Sequence, residues 1–233
     1  MPSHGMGCLR VAMLIMGRRI AFSIGARLAA IFLAVAGACA VALPVSADET
    51  PTCRGPLSTT ETAFVQSVQR DLTARFPHAS DAIAAGYVRY TAPDDTGAIS
   101  YANRQWVSDP THPSQLWYDT DGNLMGADFS VPRPNGEPRP QLWGIDPCRW
   151  FEFNGHVHYV VREPGTNKML YDQWIWNKDF VAAGGNLSNP SADTVVKLGR
   201  VPSTDYISTI FEFPTLWDLI VWIKPHTPNQ LFW

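Results

Sequence analysis

Hydrophobic periodicity changes once along this chain, and that change limits the fold more than any other feature. Ser58-Thr59-Thr60-Glu61 has the form of a helix capping box, and Phe64, Val65, Val68, Leu72 and Phe76 recur behind it at helical spacing until Pro77. A short second helix is expected from Ser80 to Ala85, closed by Gly86. From Tyr87 to Trp176 the period falls to two and turn signals recur, the pattern of an antiparallel meander. Strands are expected over 87–91, 99–107, 115–119, 124–131, 150–153, 156–162 and 169–176, with the four prolines of 132–140 forming a loop that divides them. Asn189-Pro190 reads as the N-cap and first residue of a third helix that ends near Gly199, and Ile207 to Ile223 as one or two buried strands. The expected fold class is therefore α+β: N-terminal helices packed on a predominantly antiparallel meander sheet, with one disulfide.

The segment ahead of this pattern reads as an export signal. Arg18 and Arg19 open a basic region, Ala29 to Leu43 supply an apolar core, and Val45-Ser46-Ala47 has the small-x-small form that signal peptidases cut. Residues 1–47 are thus expected to be a cleaved signal peptide, and 48–233 a single secreted or periplasmic α+β domain without a stable membrane anchor. The chain carries 18 Lys+Arg against 21 Asp+Glu, and four of the basic residues (Arg10, Arg18, Arg19, Arg27) but none of the acids precede Asp48. The remainder is acidic and has no Lys/Arg cluster, so no nucleic-acid partner is expected. Cys53 and Cys148 are the two cysteines beyond the leader, and in an oxidising compartment such a pair reads as a disulfide.

All 9 Trp and 7 Tyr also lie beyond the leader. Aromatic side chains on that scale serve a core, a flat ligand or a glycan. Three local patterns bear on chemistry. Asp119-Thr120-Asp121-Gly122-Asn123 has alternating oxygen groups but lacks the glycine and glutamate positions of a calcium loop, so it reads as a hairpin turn. Asp95-Thr96-Gly97 has the aspartic-protease triplet, but Ala92-Pro93-Asp94 places it in a solvated turn instead of behind an apolar strand.

The third pattern is Trp150-Phe151-Glu152-Phe153-Asn154-Gly155-His156-Val157-His158-Tyr159, which reads as two strands joined at Asn-Gly. A two-residue turn would pair Phe153 with His156 and Phe151 with His158 on one open face. Alternate strand residues stand about 7 Å apart at Cα, so both imidazoles could reach one ligand or metal ion. The next strand completes the face in one of two registers. One sets Tyr171 and Gln173 opposite the histidines; a bulge or odd loop sets Asp172, Trp174 and Trp176 there.

The expected ligand site is therefore His156, His158, Phe151, Phe153, Tyr171 and Gln173, and the expected metal trio His156, His158 and Asp172. The His-x-His spacing with Glu163 resembles the metal motif of cupins, but the glycine five residues earlier and the second motif are absent, so no family is assigned. The functional expectation is a ligand-binding domain for a small molecule or glycan, with a metal-dependent or carboxylate-based hydrolase as the alternative. Protonation of the imidazoles near their ordinary pKa of about 6.5 is expected to alter binding far more than stability.

Thiol titration of the denatured, unreduced mature protein should find neither Cys53 nor Cys148 free. Two reactive thiols would remove the crosslink from the fold.

Overall fold

Why the chain forms two sheets instead of one is visible in how its strands bend. The computed structural model describes Cys53 and residues 55–223; the expected leader over 1–47 lies outside the described residues. The elements are α1 (Thr59–Arg75), α2 (Ala79–Ala84), β1 (Val88–Arg89), β2 (Ile99–Ala102), β3 (Gln115–Tyr118), β4 (Leu124–Pro132), β5 (Phe151–Phe153), β6 (His156–Arg162), β7 (Met169–Trp176), α3 (Asn177–Ala182), α4 (Ala192–Lys197), β8 (Ile207–Phe213) and β9 (Leu216–Trp222). A six-stranded sheet has the order β1-β2-β3-β4-β9-β5, and a three-stranded sheet the order β7-β6-β8. The strand pairings are antiparallel. The protein is therefore α+β, as the periodicity predicts, although the meander covers only β1 to β4.

The anticipated Asn-Gly hairpin does not form. β5 pairs with β9 in the larger sheet, whereas β6 pairs with β8 in the smaller one. The register Phe153↔Leu216 resumes as His156↔Phe213, three residues on along each strand, so β5–β6 and β8–β9 form one two-stranded ribbon that turns a corner. Gly155 and Thr215 meet at this corner, the Gly155 N–H donating to Thr215 Oγ1 at 3.3 Å. A Cβ on Gly155 would stand 2.5 Å from Asn177 Nδ2 and 3.1 Å from Thr215 Oγ1. The glycine serves close approach here, not a tight turn.

The ribbon stacks four layers. On one face of the larger sheet, Val65, Val68 and Leu72 of α1 pack against Leu116, Phe129 and Leu219. Between the sheets lie Ala102 and Leu216 from the larger one, with Val160, Phe211 and Phe213 from the smaller. On the outer face of the smaller sheet, Val157, Tyr159 and Ile175 pack against Phe180 of α3 and Val195 of α4.

Ser58 and Glu61 form the expected capping box at 3.1 and 2.8 Å. Glu61 also accepts from buried Arg149 at 3.1 Å, and Arg149 donates to the carbonyls of Cys53, Gly55 and Pro56. Beside this pair, Cys53 and Cys148 form a disulfide across a sequence separation of 95. Closing a loop of that length stabilises the fold by roughly 4.7 kcal/mol in the chain-entropy model, and the bond is consistent with an oxidising compartment.

Three local expectations differ from what forms. The strand expected over 99–107 stops at Ala102, because Asn103 turns its side-chain oxygen onto the Gln105 N–H and Arg104 takes a left-handed φ of 62°. The helix expected from Asn189 begins at Ala192 with Ser191 as N-cap. The short α3, which directly follows β7, was not anticipated.

Gly155→Ala should destabilise the protein by about 1–3 kcal/mol, because the added methyl must displace the Asn177 amide from Glu212 and crowds Thr215 on the facing strand. Equilibrium unfolding in denaturant measures it; a variant as stable as the parent would show that the corner has slack.

Candidate functional site

The corner turns His156 and His158 inward, toward the space between the sheets. They are 6% and 7% exposed, so the face expected to be open is largely covered. His156 stacks on Phe213 at 5.1 Å, and His158 meets Tyr90 edge-on at 4.7 Å and Phe211 at 5.8 Å. Phe153 remains beside His156 at 5.2 Å. Phe151 does not stay with the histidines. It pairs with Asp218 and packs with Ile220 and Trp222, because β5 runs along β9 and carries it two residues farther from the corner than Phe153.

One side of this pair remains open, at the edge strand β7. His156 stands opposite Trp176 and His158 opposite Trp174. This is the bulged register: between Gln173 and Leu170, β7 spans one residue more than β6 does between Tyr159 and Val161. Asp172 absorbs the extra residue in a left-handed conformation, φ 59°, which a short polar side chain tolerates. Its N–H donates to the Tyr90 carbonyl at 3.1 Å and its Oδ2 accepts from the Ala92 N–H at 2.9 Å.

Gln173 consequently faces away from the histidines, opposite Tyr159, and Tyr171 packs in the inter-sheet core beneath the Arg89 guanidinium, 4.1 Å from its ring. Neither lines the opening. What does line it, around a cleft of about 260 Å³, is Phe153, Asn154 and the two histidines on one side, and Asp172, Trp174 and Trp176 on the other. Trp174 is 42% exposed, the one aromatic among the exposed large hydrophobic side chains of the described residues.

The expected metal trio does not assemble. Among the described residues, the one group of three His, Cys, Asp or Glu ligand atoms within 4.8 Å of one another is Cys53, Asp146 and Cys148, whose sulfurs are bonded to each other. Asp172 is instead held by the Tyr90–Ala92 segment. The Asp95-Thr96-Gly97 and Asp119–Asn123 segments are turns in which Asp94 and Asp119 accept backbone N–H groups.

Sequence reasoning missed the polar chain behind the histidines. Tyr90 donates its hydroxyl to Gln115 Oε1, and Gln115 Nε2 donates to Asp128 Oδ2 at 2.6 Å. Asp128 and Asp218 occupy neighbouring strands on the same face and are 2% and 0% exposed. Burial, reinforced by the Asp218 carboxylate, pushes the Asp128 pKa well above the ordinary carboxylate range, against a backbone bond from Phe129. A signal for them did exist: each is an acid at an inward position of a largely apolar strand.

This chain matches no protein-family model, no curated protein and no solved structure. Its site is therefore read from chemistry alone.

Burial holds both imidazoles neutral. It lowers the His156 pKa to about 4, against a 2.7 Å hydrogen bond to the Asn154 carbonyl that works the other way. His158 falls to about 3, by burial and then by its His156 neighbour, with a backbone bond to Gln173 opposing. The expectation that these groups titrate near 6.5 with little effect on stability is thus overturned. In the unfolded chain both return to about 6.5, so below that pH the unfolded state binds more protons than the folded one. Their contribution to stability is complete above about pH 6.5 and is lost as pH falls toward 4 and then 3.

Between pH 7 and pH 4.5, the parent should lose on the order of 3–5 kcal/mol more stability than a His156→Asn/His158→Asn variant. Asp128 acts with the opposite sign but is common to both proteins. Denaturant unfolding at the two pH values measures the difference; parallel losses would mean that the imidazoles protonate in the folded state.

Proposed function

We propose that this protein is an exported ligand-binding domain, secreted or periplasmic, whose site is the cleft between the ribbon corner and β7. The cleft takes a small molecule or the terminal residue of a glycan. One observation carries the reading: the protein buries Trp150, Trp217 and Trp222 but leaves Trp174 at 42% exposure, on the rim of a cleft whose far wall is two buried histidines. Exposing a large aromatic forgoes burial worth about 1.5–3 kcal/mol, and a concave aromatic wall with a few inward polar atoms is the usual form of a ligand site.

Export is supported by the leader pattern and by the Cys53–Cys148 disulfide. The hydrolase alternative needs a carboxylate pair within reach of substrate. Asp128 and Asp218 lie too deep for that, and the metal trio lacks convergent ligand atoms.

Trp174→Ala should abolish ligand-induced thermal shifts while changing stability by less than about 1 kcal/mol, as expected for a side chain outside the core. The screen uses the mature protein recovered from the exported fraction, with small metabolites and oligosaccharides as probes. A variant that binds as the parent does would remove the cleft from consideration.

A further inference from the structure

We infer that the cleft selects a small organic ammonium ion bearing at least one N–H, in preference to a neutral sugar, an anion or a metal ion. This rests on the cleft being a ligand site and names the chemistry that the site favours.

Three features of the lining converge on it. The first is charge. With both imidazoles neutral, Asp172 is the one charged side chain among the seven lining residues, and no Lys or Arg is among them. An anion meets repulsion there, whereas a cation meets the counter-charge of Asp172, an exposed carboxylate on the rim of the cleft.

The second is the arrangement of rings. Trp174 and Trp176 stand 4.5 Å apart at 68°, His156 and Trp174 5.8 Å apart at 67°, and His156 and Trp176 6.0 Å apart at 86°. Three rings so steeply inclined to one another make the corner of a box. An aromatic corner presents negative ring faces in more than one direction, and indoles are the strongest side-chain partners for a cation.

The third is hydrogen bonding. His156 Nδ1 is engaged by the Asn154 carbonyl, so in the neutral ring it carries the proton and Nε2 holds the lone pair. His158, 7% exposed, leaves Nδ1 buried without a hydrogen-bond partner. That atom is sealed from the opening, so the imidazole that serves the cleft as an acceptor is His156. His156 Nε2 and the Asp172 carboxylate are therefore acceptors in the lining, beside the N–H donors of Asn154 and the two indoles. An ammonium N–H answers these acceptors and adds the charge that a neutral hydroxyl lacks. At about 260 Å³ the cleft suits a ligand of about one ring, below the roughly 300–1,000 Å³ of drug-sized sites.

Isothermal titration at neutral pH with cyclohexylammonium, cyclohexanol, tetramethylammonium and glucose tests the inference on the mature, disulfide-bonded protein. Cyclohexylammonium should bind at least tenfold more tightly than cyclohexanol and more tightly than tetramethylammonium. Asp172→Asn, whose amide oxygen can still accept from Ala92, should weaken cyclohexylammonium at least fivefold and leave cyclohexanol unchanged. His156→Phe should erase the advantage of cyclohexylammonium over tetramethylammonium; should that variant fail to fold, the Asp172→Asn comparison decides alone. Cyclohexanol or glucose binding as tightly as the ammonium ion, with Trp174→Ala still abolishing it, would overturn the cation while leaving the ligand site intact. Binding of no probe by the parent, together with ligand screens that do not distinguish Trp174→Ala from it, would overturn both.

Discussion

A single bend in a β-ribbon organises this protein. Because β5–β6 and β8–β9 stay paired on both sides of Asn154-Gly155 and Pro214-Thr215, the β9-β5 end of the larger sheet runs on into β6 and β8 of the smaller, and the two sheets are not independent modules. The bend reverses which side of the strand faces inward. On a straight strand Phe153 and His156 would point to opposite faces; across the corner their rings touch at 5.2 Å. The histidines, the inter-sheet core and the opening at β7 are all consequences of that reversal.

A second irregularity, the bulge at Asp172, completes the cleft. Without it Trp174 and Trp176 would face α3 and α4, and Gln173 and Ile175 would face the histidines. With it, the two indoles turn inward at the edge of the smaller sheet, and the Asp172 backbone and side chain tie that edge to the Tyr90–Ala92 segment. An edge strand engaged in this way is also less free to recruit another chain.

The space between the sheets is unusual in being both aromatic and polar. Tyr90 connects its two halves, with its ring against His158 and its hydroxyl on Gln115, which in turn holds Asp128. Groups buried this deeply are kept in their neutral forms by desolvation, the imidazoles below their ordinary pKa and the Asp128 carboxyl above it. Partial neutralisation of this kind lets a core hold two acids and two histidines without large uncompensated charge.

Much of the architecture was legible in the sequence, because it follows from local chemistry. The capping box at Ser58 and Glu61, the period-two runs of 156–162 and 169–176, and the Cys53–Cys148 pair each depend on residues or an environment that a sequence states directly. Sheet membership, by contrast, was decided by tertiary structure alone. Asn154-Gly155 favours a hairpin locally, but β8 and β9 offer a longer partner across the whole of β5 and β6, and the ribbon gains more ladder hydrogen bonds than a two-residue turn could. The same competition chose between the two registers of β7 and buried the histidines. Periodicity determines that a strand has two faces; which face is inside depends on the partners that cover it, and those lie far away in the chain.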